Sequence, residues 1–442
     1  MTNPTAVPAL SGESALPATG ALSATGFPVE QVRARARHGS ACAFPPVDSY
    51  GTALLGAQAA PAVDDLLESL RITPPVFMPQ RLEKLIELAR EPIYSDVETE
   101  TVIGGFRAPL PLFVSALGST SVATSDRSLA LSRQAARLGL PMVIGENIVP
   151  STGYRGGSEG LARSLLSRVL AYCDELPANW GGLAIQQSTE DADAEVWNLV
   201  YSDPAALPLL ESGRLAFELK VGQGAKPGLG GMTVLSAAAA QAPANVFAVD
   251  PIFGADAGIV MRSASPGTFT EEILRQQIRL MRNNFPRAKV WVKLHPGRDI
   301  GHAYAVAVAA GADAVTVDGA EGGSGWAPKA FLAHVGLPLG ECLLRTDTRQ
   351  GCLLATGRMW EGSRVVKALA LGARAAGLGR AAFLAVDEDP EHGLVRLVEC
   401  LALELSLLVS GVGKYRPGDL TTEDLWPLPA AAATTAERVA VR

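Results

Sequence analysis

The stretch KVGQGAKPGLGG, from Lys220 to Gly231, sets Lys220, Gln223 and Lys226 among five glycines. Cations beside a backbone without side chains suit a small anion, because the ammonium groups supply charge and the bare amides can approach it closely. Two later turns have a related make-up. ATGRMWEG brings Gly357 next to Arg358, and GLGRA brings Gly379 next to Arg380. Exposed amides with a guanidinium beside them are suited to phosphate. One such turn reads as a tight bend; two on successive units tip the reading toward a phosphate site.

These turns need elements to hold them. TFTEEILRQQIRLMRNNFP reads as an amphipathic helix, with Leu274, Ile278 and Met281 on one face and Thr268 with Glu271 as its capping box. AKVWVKLH is then a strand, GHAYAVAVAAG a helix, DAVTVDG a strand, PKAFLAHVG a helix, GCLLATG a strand, GSRVVKALALGA a helix and RAAGLG a strand. PLPLFVSALG is the first strongly apolar strand. Strands alternating with helices imply parallel βα units, and strands apolar throughout imply burial on both faces. The glycine-rich turns all fall at strand C-termini. The expected fold is therefore a (β/α)8 TIM barrel, with an open doubly wound sheet as the runner-up. Two short helical patterns, VDDLLESLRI and PQRLEKLIELAR, precede it. The expected division is a flexible leader over 1–28, a helical extension over 29–107 that packs on the barrel, the barrel over 108–425 and a tail over 426–442.

Composition narrows the function classes. With 48% hydrophobic and 19% charged residues, the chain of 442 is globular. Its net charge of −7 and lack of a basic block argue against nucleic acid. The start, MTNPTAVPAL, does not read as a signal peptide, and no apolar run is long enough for a membrane span. The five cysteines are scattered with no CxxC pair, which fits free thiols in the cytoplasm and argues against zinc. His295 and His302, in LHPGRDIGH, lack acidic partners at ligand spacing and read as loop histidines, with no metal site expected. His334 is expected to pack.

Taken in order, KVGQGAKPGLGG, VKL, GADAVTVDGAEGGSG, LAHVGLP and GSRVVKALALGARAAGLGRA resemble the FMN-binding domain of glutamate synthase, over about Pro109 to Leu384. FRAPLPLFVSALG also resembles the first barrel strand of the wider FMN superfamily. The resemblance implies a TIM barrel holding FMN on its C-terminal face. By motif position, Ala116, Leu117, Gly118 and Ser119 would touch the flavin, Gln186 would sit beside its rings, and Lys293 would approach its N1 and O2 end. A cation there stabilises the reduced, anionic ring. Gly322 and Gly323 would pass close to the cofactor. Gly357, Arg358, Gly379 and Arg380 would hold its phosphate. Lys220, Gln223 and Lys226 would face a carboxylate-bearing substrate, and Arg262 would grip its carboxylate. Glu146 is the implied proton donor or imine anchor, with Lys220 and Lys293 as the other catalytic candidates. A purely structural reading pairs Glu146 with Arg155 instead.

The departures matter too. Past the last glycine turn only Cys400 is present, so that segment cannot supply an all-cysteine iron–sulfur cluster. The sequence also has no room for a glutaminase domain, and Met1 is not followed by cysteine. Three readings follow. The first is a stand-alone FMN oxidoreductase of the CH–NH2 type, acting on a small amino, imino or oxo acid and served by a separate reductase or an ammonia-supplying protein. The second is a non-redox flavin isomerase or tautomerase. The third is a flavin-free binding subunit, which the TGR turn favours because it replaces a glycine pair. Homo-oligomers are common among such barrels.

Overall fold

In the computed structural model the described residues are 20–43, 66–77, 90–116, 126–146, 148–149, 153–155, 164–187, 195–222, 233–236, 248–250, 259–263, 270–322 and 334–427. Eight parallel strands close into a barrel in sequence order. They are β1 (Leu112–Val114), β2 (Met142–Ile144), β3 (Leu183–Gln187) and β4 (Leu215–Lys220). β5 (Lys289–Leu294), β6 (Ala314–Asp318), β7 (Leu353–Thr356) and β8 (Ala375–Leu378) complete it. β4 pairs with β5, and β8 pairs back onto β1, so no edge is left open. The helices that follow the strands are α1 (Asp126–Arg137), α2 (Leu165–Cys173), α3 (Val196–Ser202) and α4 (Glu271–Asn284). Then come α5 (Ile300–Ala309), α6 (Leu339–Leu344), α7 (Gly362–Ala370) and α8 (Arg380–Glu388). A last helix, α9 (Gly393–Gly411), packs across α7 and α8. The fold is a TIM barrel.

Alternation along the strands sorts the barrel interior into two zones, because successive side chains point to opposite faces. The lower zone is apolar. Phe113, Val143, Leu354 and Trp291 meet there with the alanines Ala184 and Ala216. A hairpin, Thr101–Ile103 with Phe106–Ala108, closes the bottom. Its turn residue Gly104 has φ +54 and lies so close to Trp291 that a Cβ would stand 2.5 Å from the indole, while its carbonyl accepts from Trp291 Nε1 at 3.0 Å. Only glycine meets both demands. The upper zone is polar. Two residues above Ala184, Ala216, Trp291 and Ala314 come Gln186, Glu218, Lys293 and Thr316, and register sets Gln186 opposite Glu218 and Lys293 opposite Thr316.

Several local expectations change. The cap of α4 is Thr270, whose hydroxyl accepts from Ile273 N at 3.2 Å; Thr268 lies outside the described residues. The helix starts at Glu271, so Glu271 and Glu272 fall in its first turn and meet the positive end of its dipole. PKAFLAHVG lies mostly outside the described residues, and the helix before β7 is α6. Gly336, at φ +99, separates the two segments. His334, just before that turn, is exposed rather than packed. Of the described part of VDDLLESLRI, Leu66–Ser69 is helical, and Arg71–Ile72 pairs antiparallel with Leu425–Trp426. PQRLEKLIELAR falls almost wholly outside the described residues.

The N-terminal segment runs along the barrel wall. Helix Val29–His38 buries Val32 and Ala36 against α8 and α9. Asp387 holds it, pairing with Arg33 at 2.8 Å and Arg127 at 2.6 Å and accepting from Leu22 N at 2.8 Å. Residues 20–28, the end of the expected leader, thus belong to the packed molecule, and Phe27 is buried.

Candidate functional site

The polar zone opens at the C-terminal ends of the strands, where barrels of this class carry their sites. Its centre is Glu218 on β4. The carboxylate accepts from Gln186 Nε2 at 2.7 Å and from Thr316 Oγ1 at 3.1 Å. Lys293, from β5, lies 3.6 Å from Asp318 at the end of β6, and Asp318 also accepts from Thr356 Oγ1 at 2.8 Å. Nearer the mouth, Lys220 donates to Glu146 in an ion pair. Three carboxyl groups and two ammonium groups thus share one water-poor volume.

The charge states follow from burial and neighbours. Burial lowers the affinity of Lys293 for its proton, but Asp318, Glu218 and Glu146 outweigh it, so the ammonium is held above its ordinary value. Burial acts on Glu146 in the opposite sense from its partner: it raises the carboxyl, while the charge and hydrogen bond of Lys220 lower it further than burial lifts it. For Glu218 burial wins. Its carboxyl sits above the ordinary range despite Lys293, Gln186 and Thr316. One cluster therefore contains a firm cation, an ionised carboxylate and a carboxyl biased toward its protonated form. Such divergent pairs of carboxyls are what proton-transfer chemistry requires.

At the adjoining rim stand the ends of β7 and β8. Gly357 has φ +133 and Arg358 has φ +55. Arg380, the first residue of α8, donates from Nη2 to the Glu321 carbonyl at 2.5 Å. Burial lowers its guanidinium, Asp318 opposes that, and nearby Arg358 lowers it further. A Cβ at Gly379 would meet nothing within 4 Å, so there is open space beside the α8 N-terminus. Two crowded guanidinium groups, a helix N-terminus and open space together fit the phosphate of an FMN, and a protonated Lys293 in the barrel mouth fits its ring.

The structure brings together Glu146, Gln186, Lys220 and Lys293 at the mouth, with Arg358 and Arg380 at its rim. Ala116 and Gly322 are described as well; Gly322 donates its N–H to Gly319 O and packs on the Asp318 carboxylate. Leu117, Gly118, Ser119, Gln223, Lys226 and Gly323 lie outside the described residues, as does the Arg262 side chain. Glu146 does not pair with Arg155, which bonds Asp203 at 2.8 Å. The histidines separate. His302 is exposed and bonds Glu271 at 3.0 Å. His295 stands at the top of β5, so near Gly222 that a Cβ there would approach it to 2.8 Å, and its Nδ1 is buried without a hydrogen-bond partner among the described residues. Burial lowers its affinity for a proton. No cluster able to hold a metal occurs among the described residues, and no helix there is long and apolar enough to cross a membrane.

Sequence reasoning passed over Glu218, Thr316, Asp318 and Thr356. A signal was present. An acid inside the apolar strand LAFELK, two residues from Lys220 and in register with Gln186, has nowhere to go but the barrel interior.

Comparison with known proteins bears on the same region. Residues 210–388, which span β4 to α8, match the family described as a conserved region in glutamate synthase. The archaeal-type glutamate synthase (NADPH) of Dehalococcoides mccartyi is 34% identical over 186 residues, 40% of this chain and 36% of that protein. The glutamate synthase large subunit-like protein of Rhizobium meliloti is 34% identical over 188 residues, 40% of this chain and 41% of that protein. The chain thus spans about two fifths or less of these relatives' length. Among solved structures, a soluble mutant of the membrane-associated (S)-mandelate dehydrogenase from Pseudomonas putida superposes with a TM-score of 0.53 at 18% identity, covering 91% of this chain and 99% of that one. A flavocytochrome b2 variant with sulfite bound gives 0.52 at 14% identity, covering 81% and 76%. At these identities the likeness is one of fold.

Proposed function

From a chain whose residues 210–388 form a glutamate-synthase-like region, we propose an FMN-dependent oxidoreductase acting on a small amino, imino or oxo acid. The observation that carries the reading is the convergence of Lys293, Glu218 and the Lys220–Glu146 pair in the mouth of the barrel, beside the Arg358 and Arg380 rim. FMN, when bound, supplies a centre that takes up and returns electron pairs.

The chain's own residues do the rest. Arg358 and Arg380 would hold the phosphate, assisted by the amides of Gly357 and Gly379. Lys293 keeps its proton because three acidic side chains, Asp318 foremost, surround it, so it would offer a fixed positive charge where the ring gathers electrons. Gln186 donates to Glu218, which fixes the amide that would lie beside the flavin ring. Glu146 is held ionised by Lys220 and accepts a proton from the substrate nitrogen or oxygen, while the Lys220 ammonium keeps the carboxylate in place. Gln223, Lys226 and Arg262 belong to the same proposal as carboxylate contacts, on the strength of the family resemblance. So does a separate reductase or ammonia-supplying protein as partner.

The first test is the visible absorption spectrum of the purified chain, with heat release and identification of any chromophore. A flavin spectrum with FMN near one per chain is the expected result, and turnover is then sought with amino and oxo acids against electron donors. A colourless protein that takes up no added FMN sinks the proposal.

A further inference from the structure

The N-terminal segment reaches the rim of the site. Residues 22–27 climb along α8 from its last turn to its first residue, and helix Val29–His38 returns beside it. Asp387 fixes both limbs, accepting from Leu22 N at 2.8 Å and pairing with Arg33 at 2.8 Å. The seven steps from Arg380 to Asp387 rise about 10 Å, a distance that five steps of extended chain easily span. The apex of the turn is Phe27. Its N–H donates to Ala24 O at 3.2 Å, and its carbonyl accepts from Val29 N at 2.8 Å. The ring is 8% exposed, and the Arg380 guanidinium lies 4.8 Å from its centroid.

We propose that Phe27 is a positioning residue for the phosphate end of the flavin site, holding Arg380 so that its guanidinium edge is presented to a phosphate monoester. The proposal rests on the FMN reading above. A guanidinium stacked on a ring uses its face and keeps its in-plane N–H groups for hydrogen bonds. Here one of those groups goes to the Glu321 carbonyl, so face and edge together fix the orientation of Arg380. Preorganisation of this kind strengthens binding because less side-chain freedom is lost on association. Without the ring, a half-buried guanidinium beside Arg358 has one constraint fewer.

The same extension braces the neighbouring loop independently. Glu68, from Leu66–Ser69, pairs with fully buried Arg364 at 2.8 Å, and Arg364 reaches the Gly357 carbonyl at 3.5 Å. Residues well before the barrel thus support both phosphate turns. This region lies outside residues 210–388, so the family match does not account for it.

The test compares FMN with riboflavin, which lacks the phosphate. Each is titrated into flavin-free wild-type, Phe27→Leu and Phe27→Tyr chains, with binding read from quenching of flavin fluorescence. Leucine keeps the segment's apolar packing and removes the ring; tyrosine keeps the ring. The expected result is FMN binding about tenfold weaker for Phe27→Leu, wild-type affinity for Phe27→Tyr, and unchanged riboflavin binding in both. Equal weakening toward both flavins, or unchanged FMN affinity in Phe27→Leu, overturns the proposal while leaving the FMN reading intact. A wild-type chain that binds neither flavin overturns that reading and this proposal with it.

Discussion

Lys293 and Glu146 show how one buried cluster assigns opposite tasks to its members. Lys293 gains more from the acidic groups of Asp318, Glu218 and Glu146 than it loses by leaving water, so it stays charged. Under the FMN proposal, Lys293→Met lowers the flavin reduction potential and slows flavin reduction by about a hundredfold, as read by stopped-flow absorbance. A half-reaction at the wild-type rate would remove Lys293 from the chemistry. Glu146 also carries a stability prediction. Its folded-state value lies below the ordinary 4.5, so its contribution is complete above 4.5 and is lost as pH falls through the lower folded value. Glu146→Gln leaves Lys220 without its anion in a mostly buried setting and costs about 3 kcal/mol near neutrality. The difference between variant and wild type should shrink below pH 4.5, measured by urea unfolding across the acid range. A constant difference would mean that the ion pair contributes nothing.

The elements matter because each delivers one side chain at a fixed height. β4 and β5 share a register that stacks Trp291 beneath Lys293 and Ala216 beneath Glu218. A shift of one residue would turn all four of these side chains out of the barrel and bring Phe217, Val290 and Val292 in. The helices hold that register from outside. α4 buries Leu274, Ile278 and Met281 and is capped by Thr270. Thr270→Ala should lower stability by about 1 kcal/mol, seen as a lower denaturation midpoint with an unchanged slope. An unaltered midpoint would mean that water or Glu271 satisfies the same N–H. The period of α4 was plain in its sequence. Its cap was not, because Thr268 and Thr270 both precede an acidic first turn, and only the chain path selects between them.

For the whole molecule, the barrel is a floor and a mouth built on one set of strands. Trp291 fills the floor against Phe113 and Phe106, with ring centroids 6.4 and 5.4 Å away. Trp291→Ala would leave a void beneath the polar cluster and cost about 3–5 kcal/mol. Thermal unfolding should report it, and retention of the wild-type midpoint would imply that the hairpin collapses into the gap. The N-terminal segment belongs to this scale as well. It ties residues 20–38 to α8 through Asp387 and sets Phe27 at the site's rim. Composition gave no hint of that. Residues 1–28 are rich in small and turn-forming residues, and an apolar Phe27 alone does not disclose its partner.

The sequence by itself determined a parallel βα fold and favoured the barrel over an open sheet. Alternating apolar strands and helices, with glycine turns at the strand ends, allow few other packings, and the strand positions of β5 to β8 follow directly from it. It also placed Lys293, Arg358 and Arg380 near strand C-termini, since a motif fixes where a residue stands along its own strand. Tertiary structure decided which charges meet across strands. Glu146 finds Lys220 from β4 rather than nearby Arg155, Glu218 finds Gln186 and Thr316, and Phe27 finds Arg380 far along the chain. Such pairings depend on barrel closure and register, which bring together residues that no local periodicity relates.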